Sequence, residues 1–238
     1  MFQIFKKEIG SFLGSLVGYI IIGVFLTLCG VYFWSFSDFF GAGVADMYNF
    51  FQVAPFVYLF LIPAITMKMF SEEKKSGTME LLFTKPISVW DIILGKYLAA
   101  CLLIFISLLP TLFYFYSIYQ MGNPVGNIDV AATCSSYLGL FLLGCVFASI
   151  GIFSSSLTDN QVVAFVVSFV ICLFLYYAIA QIASLSIMGS LSYIISKIGL
   201  DYQYESLSKG LIDTRNLIYF FSVIFIALWC TKWRVLKG

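Results

Sequence analysis

Residues Val130–Thr158 read VAATCSSYLGLFLLGCVFASIGIFSSSLT, 29 residues between Asp129 and Asp159 without one charged side chain. A helix rises 1.5 Å per residue and needs about 20 apolar residues to cross ~30 Å of hydrocarbon. This stretch is therefore long enough to span a membrane. Five more uncharged stretches exceed 15 residues: Ile9–Ser37 (29), Met47–Met67 (21), Tyr97–Ile128 (32), Asn160–Ser196 (37) and Asn216–Thr231 (16). Every other uncharged stretch is under ten residues. The last of the six is short for a span, but Arg215 and Lys232 at its ends can snorkel to the interfaces and extend it. Composition agrees: the 238 residues are 61% hydrophobic, 19% aromatic and 11% charged, against roughly 25% charged in a soluble domain. The expected fold is an all-α membrane protein, a single transmembrane domain over 1–238. Its spans fall near 14–36, 48–67, 97–119, 131–153, 162–184 and 215–233.

The basic residues set an orientation. With a cytoplasmic N-terminus, Lys6, Lys7, Lys68, Lys74, Lys75, Lys85, Lys96, Lys232, Arg234 and Lys237 are cytoplasmic, ten in all, against Lys197, Lys209 and Arg215 outside. That asymmetry is the positive-inside pattern and places both termini in the cytoplasm. It also argues against splitting the 37-residue gap into two spans, which would move the C-terminal cations outside. Lys6 and Lys7 before an apolar run resemble a signal peptide, but the run is longer than the typical 7–15 residues and no small-residue cleavage site follows. After Ala183 the fifth gap turns polar and small. Leu191, Ile194, Ile195 and Ile198 then recur at near-helical spacing, which predicts a re-entrant or short amphipathic helix ending near Gly199 on the outer side. A second short helix is expected over Tyr204–Leu211, ahead of span six.

Several chemistries are excluded. There is no histidine, which removes Ser-His-Asp and Cys-His nucleophiles and His-ligated metals. The six cysteines, at 29, 101, 134, 145, 172 and 230, sit singly in apolar runs without metal-clamp or redox spacing. Net charge is +1, so no basic field exists to hold nucleic acid. No Asp, Glu, Lys or Arg lies inside any proposed span core, although ion-coupled carriers usually keep one there. Gly95-Lys96-Tyr97 lacks the upstream glycine and the Ser/Thr of a phosphate-cradling loop. The chain is thus not expected to be an enzyme, and a transporter of this kind needs its motor on another polypeptide.

Charge is dense only in 68–96, KMFSEEKKSGTMELLFTKPISVWDIILGK, where such a motor could dock. Glu72-Glu73-Lys74-Lys75 form a charged turn, Gly77 breaks it, and Ser88 or Asp91 can cap the helix leading into span three. A solvated loop whose lysines only fix topology explains the same residues.

Glu72–Leu82 (EEKKSGTMELL), with Thr84-Lys85-Pro86-Ile87 and Gly95-Lys96-Tyr97, resembles the E-x-x-x-G-T-x-E-x-L-x-x-x-P…G-K pattern of ABC-2 type permeases, the membrane subunits of type V ABC exporters. Phe5–Phe12 and Gly210-Leu211-Ile212-Asp213 extend the resemblance to both ends, and among subgroups the chain is most similar to the gliding-motility permease GldF. The resemblance implies an N-terminal interfacial helix near 1–10 before the six spans, and a coupling helix over Phe70–Leu82 that inserts into a separate ATPase. Phe2, Phe5 and Ile9, at helical spacing beside Lys6, agree with an interfacial helix on their own. The implied ATPase-coupling residues are Phe70, Glu72, Glu73, Gly77, Thr78, Glu80, Leu81, Leu82 and Pro86, with Ser155 and Asp159 as a lesser contact between spans four and five.

The implied partners are a dimer of ABC ATPase subunits, a second permease copy or an auxiliary subunit such as the gliding-motility protein GldG, and membrane lipid. ATP and Mg belong to the ATPase, with no cofactor in this chain. The expected function is ATP-driven export across the inner membrane of an amphipathic molecule, lipid-linked glycan or peptide. The alternative is a non-transporting scaffold for a motility or secretion assembly.

Gly10, Gly14 and Gly18 form a small-residue series suited to close helix packing. Pro55, Pro63 and Pro110 are expected to kink spans two and three. Reversing Glu80, on the coupling helix, is expected to weaken ATPase association or uncouple hydrolysis with the fold intact, and reversing Glu8 on the interfacial helix is expected to do much less.

Overall fold

The computed structural model describes residues 1–36, 46–83, 87–184 and 192–237. Every regular element among them is helical. Helix α1 (Phe2–Leu13) is followed by a corner at Gly14-Ser15, where the Ser15 hydroxyl accepts from Gly18 N and opens α2 (Leu16–Val31). A π-helical turn, Tyr32–Phe36, extends α2. Helix α3 (Tyr48–Thr66) runs into α4 (Lys68–Lys75), and α5 (Thr78–Phe83) follows. Then come α6 (Val89–Leu108), a 3-10 turn at Leu109–Thr111, α7 (Leu112–Met121), α8 (Val130–Leu157) and α9 (Gln161–Leu173). A second π-helical turn at Phe174–Ala178 leads into α10 (Ile179–Ala183), and α11 (Ser192–Ile198), α12 (Leu200–Ser208) and α13 (Thr214–Lys237) complete the chain.

Six helical segments are long and apolar enough to cross a membrane: Gly18–Phe36, Tyr48–Lys75, Val89–Met121, Val130–Leu157, Gln161–Ala183 and Thr214–Lys237. An all-α membrane protein is therefore what the residues build. Pro63 and Pro55 sit inside an unbroken α3, whereas Pro110 falls in the 3-10 turn between α6 and α7.

The centre is α8. In its most apolar stretch 78% of residues are buried, against 17% in the first span, so the other helices pack around α8 while α2 keeps much of its surface outward. Glycines allow the close approach. A Cβ on Gly144 would lie 2.9 Å from Ile104 of α6 and 3.3 Å from Tyr58 of α3, and one on Gly139 would lie 2.8 Å from Leu207 of α12. One on Gly151 would collide with Thr66 of α3.

The Gly10, Gly14, Gly18 series lies at the corner from α1 to α2. A Cβ on Gly14 would meet the Gly10 carbonyl at 2.7 Å, one on Gly18 would strike the Phe12 carbonyl, and Gly10 faces open space. The close approach is therefore that of α2 to the end of α1, at Gly18 and Phe12.

Between the fifth and sixth spans the described residues form two short helices. The second begins at Leu200 rather than Tyr204 and buries Leu200, Tyr204 and Leu207. The Tyr204 hydroxyl donates to the Phe51 carbonyl at 2.7 Å, tying α12 to the start of α3. Residue 191 of the expected apolar series lies outside the described residues.

Candidate functional site

At the opposite end from α12, helices α1, α4 and α6 meet around charges withdrawn from solvent. Met69, Phe70 and Glu73 recur three and four residues apart on α4, so all three face inward, while Glu72 and Lys75 face out. Ser88 caps α6 by accepting from Asp91 N at 3.1 Å. One turn further, Gly95 lets α1 approach so closely that a Cβ there would sit 3.2 Å from Ile4. Lys96 then points into the interior and is fully buried.

A buried ammonium is tolerated only if paired and hydrogen-bonded. Lys96 Nζ donates to Glu8 Oε1 at 2.7 Å and to the Met69 carbonyl at 2.6 Å, lies 3.0 Å from Glu73 Oε2 and sits 5.1 Å from the Phe70 ring centre. The other Glu73 oxygen accepts from Lys7 Nζ at 2.8 Å. Two cations and two carboxylates thus close a neutral cluster linking α1, α4 and α6. Burial alone would lower the Lys7 ammonium, but the hydrogen bond and charge of Glu73, with Glu8 and Glu72 beyond, hold it above its ordinary value. Glu73 is the hub, because both lysines reach it.

The junction of α3 and α4 is pinned by α8. Met67 ends α3, which leaves the first amides of α4 in need of acceptors. Ser155 Oγ accepts from Phe70 N at 3.0 Å and Ser71 N at 3.1 Å, and donates to the Met67 carbonyl at 2.8 Å. Lys74 donates to the Ser156 carbonyl in the last turn of α8, where a cation complements the helix dipole. The α4 segment is therefore fixed to α1, α6 and α8 at once, as a rigid lever between spans needs to be. Gly77, at φ +68°, breaks the chain before α5 in a conformation that glycine adopts without strain.

Residues 2–226 match the family described as ABC-2 family transporter protein. The chain belongs to that family. No curated protein shows significant similarity to it. ABC-2 permeases are membrane components of ABC transporters and work with an ABC ATPase partner, so this permease is a multi-pass membrane protein.

Within the permease, the expected coupling residues separate into two groups. Glu72, Thr78 and Glu80 are exposed, and Gly77 lies between them at the break. Glu73 and Phe70 are not available to a partner: Glu73 is 7% and Phe70 1% exposed, held by the ion cluster and by packing. Ser155 is fully buried as the clamp on α4, while Asp159 remains exposed. The single helix expected over Phe70–Leu82 is two helices, because the Gly77 conformation does not continue α4. Pro86 and the side chains of Leu81 and Leu82 lie outside the described residues.

Three members of the cluster, Lys7, Glu8 and Lys96, were not expected there. In the sequence Lys7 and Lys96 read as cytoplasmic cations that set orientation, and Glu8 as a residue of the interfacial helix. The available signal was the Met69, Phe70, Glu73 stripe, which puts a carboxylate on the apolar face of α4 and therefore requires a buried cation.

Proposed function

We propose that this chain is the permease subunit of an ATP-driven exporter in which α4 and α5 dock on a separate ABC ATPase. The observation behind it is the Glu73 hub. A push on the exposed side of α4 reaches α1 through Lys7 and Glu8 and reaches α6 through Lys96, without crossing any mobile joint. Glu72, Thr78 and Glu80 are the residues offered to the ATPase, with Asp159 beside them. ATP and Mg are held by that partner, whose two copies pair with this permease and a second permease or auxiliary subunit. The resemblance of the chain as a whole supports, within the family, a gliding-motility system of the GldF type, with GldG as the auxiliary protein. The excess of basic residues on the α4 side supports an inner-membrane orientation with both termini cytoplasmic.

The test is reconstitution of the permease with its ATPase in vesicles. A docked exporter shows ATP hydrolysis that rises with a transported amphipathic molecule. Glu80→Lys should reduce ATPase co-purification about tenfold or more, since a charge-assisted contact contributes about 1.5–3 kcal/mol, with the permease still folded. Hydrolysis indifferent to every candidate cargo would favour a scaffold that the ATPase drives mechanically. Undiminished co-purification by the Glu80 variant would remove that residue from the docking surface.

A further inference from the structure

At the α12 end lies a cavity of about 360 Å³ between α3, the π-helical turn with α10, and α12. It is separate from the ion cluster and from the docking surface. Its walls are aromatic, with Tyr48 and Phe56 from α3, Tyr176 and Tyr177 from the fifth span and Tyr204 from α12. Ring centres of Phe56 and Tyr176 are 5.7 Å apart, those of Phe56 and Tyr177 6.1 Å, and those of Tyr176 and Tyr204 6.5 Å, which makes the wall continuous.

Two carboxylates open into this cavity, and they are not equivalent. Glu205 is half-exposed and pairs with Lys209 at 2.6 Å. Asp201 is half-buried, and the cavity around it is lined by the Tyr176 ring and, among neutral polar side chains, by Gln52, Gln181 and Ser208. Burial, with the Glu205 charge adding, pushes its carboxyl above the usual range, and Tyr176 opposes this only in part. The basic residues nearest in sequence are committed elsewhere: Lys209 to Glu205, and Lys197 over the Tyr193 ring at 4.3 Å. Residues 37–45 and 185–191 contain no Lys or Arg.

An aromatic-walled cavity around a carboxylate that lacks a cation is complementary to a monovalent organic cation. Ring faces attract an ammonium within about 6 Å, and more strongly away from water. We infer that this cavity binds an organic ammonium, the carboxylate of Asp201 meeting the charge and the Tyr and Phe rings meeting its alkyl substituents. As the ligand class of the transporter, this rests on the proposed function; as a binding site, it does not.

The test uses the full chain in lipid nanodiscs without ATPase, with benzyltrimethylammonium as probe and neopentylbenzene as its uncharged isostere, followed by calorimetry. Saturable binding of the ammonium is expected, at least tenfold tighter than that of the isostere. Asp201→Asn should lose tenfold or more, Asp201→Glu should recover most of it, and Glu205→Gln should lose clearly less than Asp201→Asn, because Glu205 is more exposed and shares its charge with Lys209. Equal binding of the two probes, or full ammonium affinity in Asp201→Asn, would overturn the proposal and leave only apolar partitioning. If Asp201→Asn does not fold, the isostere comparison on the unmodified chain decides. Ammonium binding with no ATPase association would instead sink the transporter while leaving this site standing. ATPase association with no ammonium binding would do the reverse.

Discussion

The two ends of the helix array treat charge in opposite ways. At the α4 end, Lys7, Glu8, Glu73 and Lys96 compensate one another, and the lysine at their centre is fully buried. At the α12 end, the ion pair of Glu205 and Lys209 is exposed, and the half-buried Asp201 has no cation beside it in the cavity. A closed cluster holds helices in fixed relation; an open carboxylate waits for a charge from outside. Rigidity and receptivity are thus placed at different ends of one fold, about the length of α8 apart.

The sharpest challenge to this contrast is Lys96→Met. Removing one partner of a buried ion pair typically costs about 3–5 kcal/mol, so a large fall in thermal stability in detergent is expected, with loss of coupling between ATPase and permease. A melting temperature like that of the unmodified chain would mean that the cluster does not hold α1, α4 and α6 together. Next in size is Glu8→Lys, which sets a third ammonium against Lys96. It should lower stability far more than Glu80→Lys, which is expected to leave the fold intact, and paired denaturation curves check this; the small effect expected of Glu8 from the sequence does not survive its pairing with Lys96.

Ser155→Ala should be milder. It orphans two buried amides of α4 at about 1–3 kcal/mol, and hydrogen exchange at Phe70 and Ser71 should rise selectively if the clamp is real. The smallest effect belongs to the other end, and its sign is the informative part. Because the folded state raises the Asp201 carboxyl, folding favours its protonated form, and its contribution falls as pH rises from the ordinary carboxylate range through the raised value. Asp201→Asn should therefore be neutral or slightly stabilising near pH 7, and the gain should vanish in acid. Destabilisation at neutral pH would show that the carboxylate has a partner after all.

The helices themselves were legible because a membrane span needs only length and the absence of charge, which are properties of contiguous sequence. Even the short sixth gap was readable, since α13 runs through Lys232 and Arg234 to Lys237 with its cations at the last turns. The site was less so. In Glu72-Glu73-Lys74-Lys75 neighbouring residues share a charge type, yet 100° of helix rotation sends Glu72 to solvent and Glu73 to the core. The Asp201 cavity draws its walls from α3, the fifth span and α12, and no local spacing announces a meeting of segments that far apart. The small-residue series at the N-terminus was legible only in part: glycines four apart announce a close approach, but not that it occurs at the corner between α1 and α2.

Gly144 and Gly151 are seven residues apart, nearly two full turns, and both meet α3, while Gly139 is turned about 140° away and meets α12. Helix α8 is in this sense keyed like a shaft, with notches cut at fixed angles. Adding one alanine between Gly144 and Gly151 would rotate the lower notch by about 100° and present a side chain to Thr66 where there is room for none. The same addition in α2 would turn a single narrow stripe, Phe25, Cys29 and Phe33, out of the core, while most of its surface faces outward in any phase. The tolerance of each span to a change of length is thereby written in its angular fit, and α8, fitted to neighbours on several sides, has the least of it.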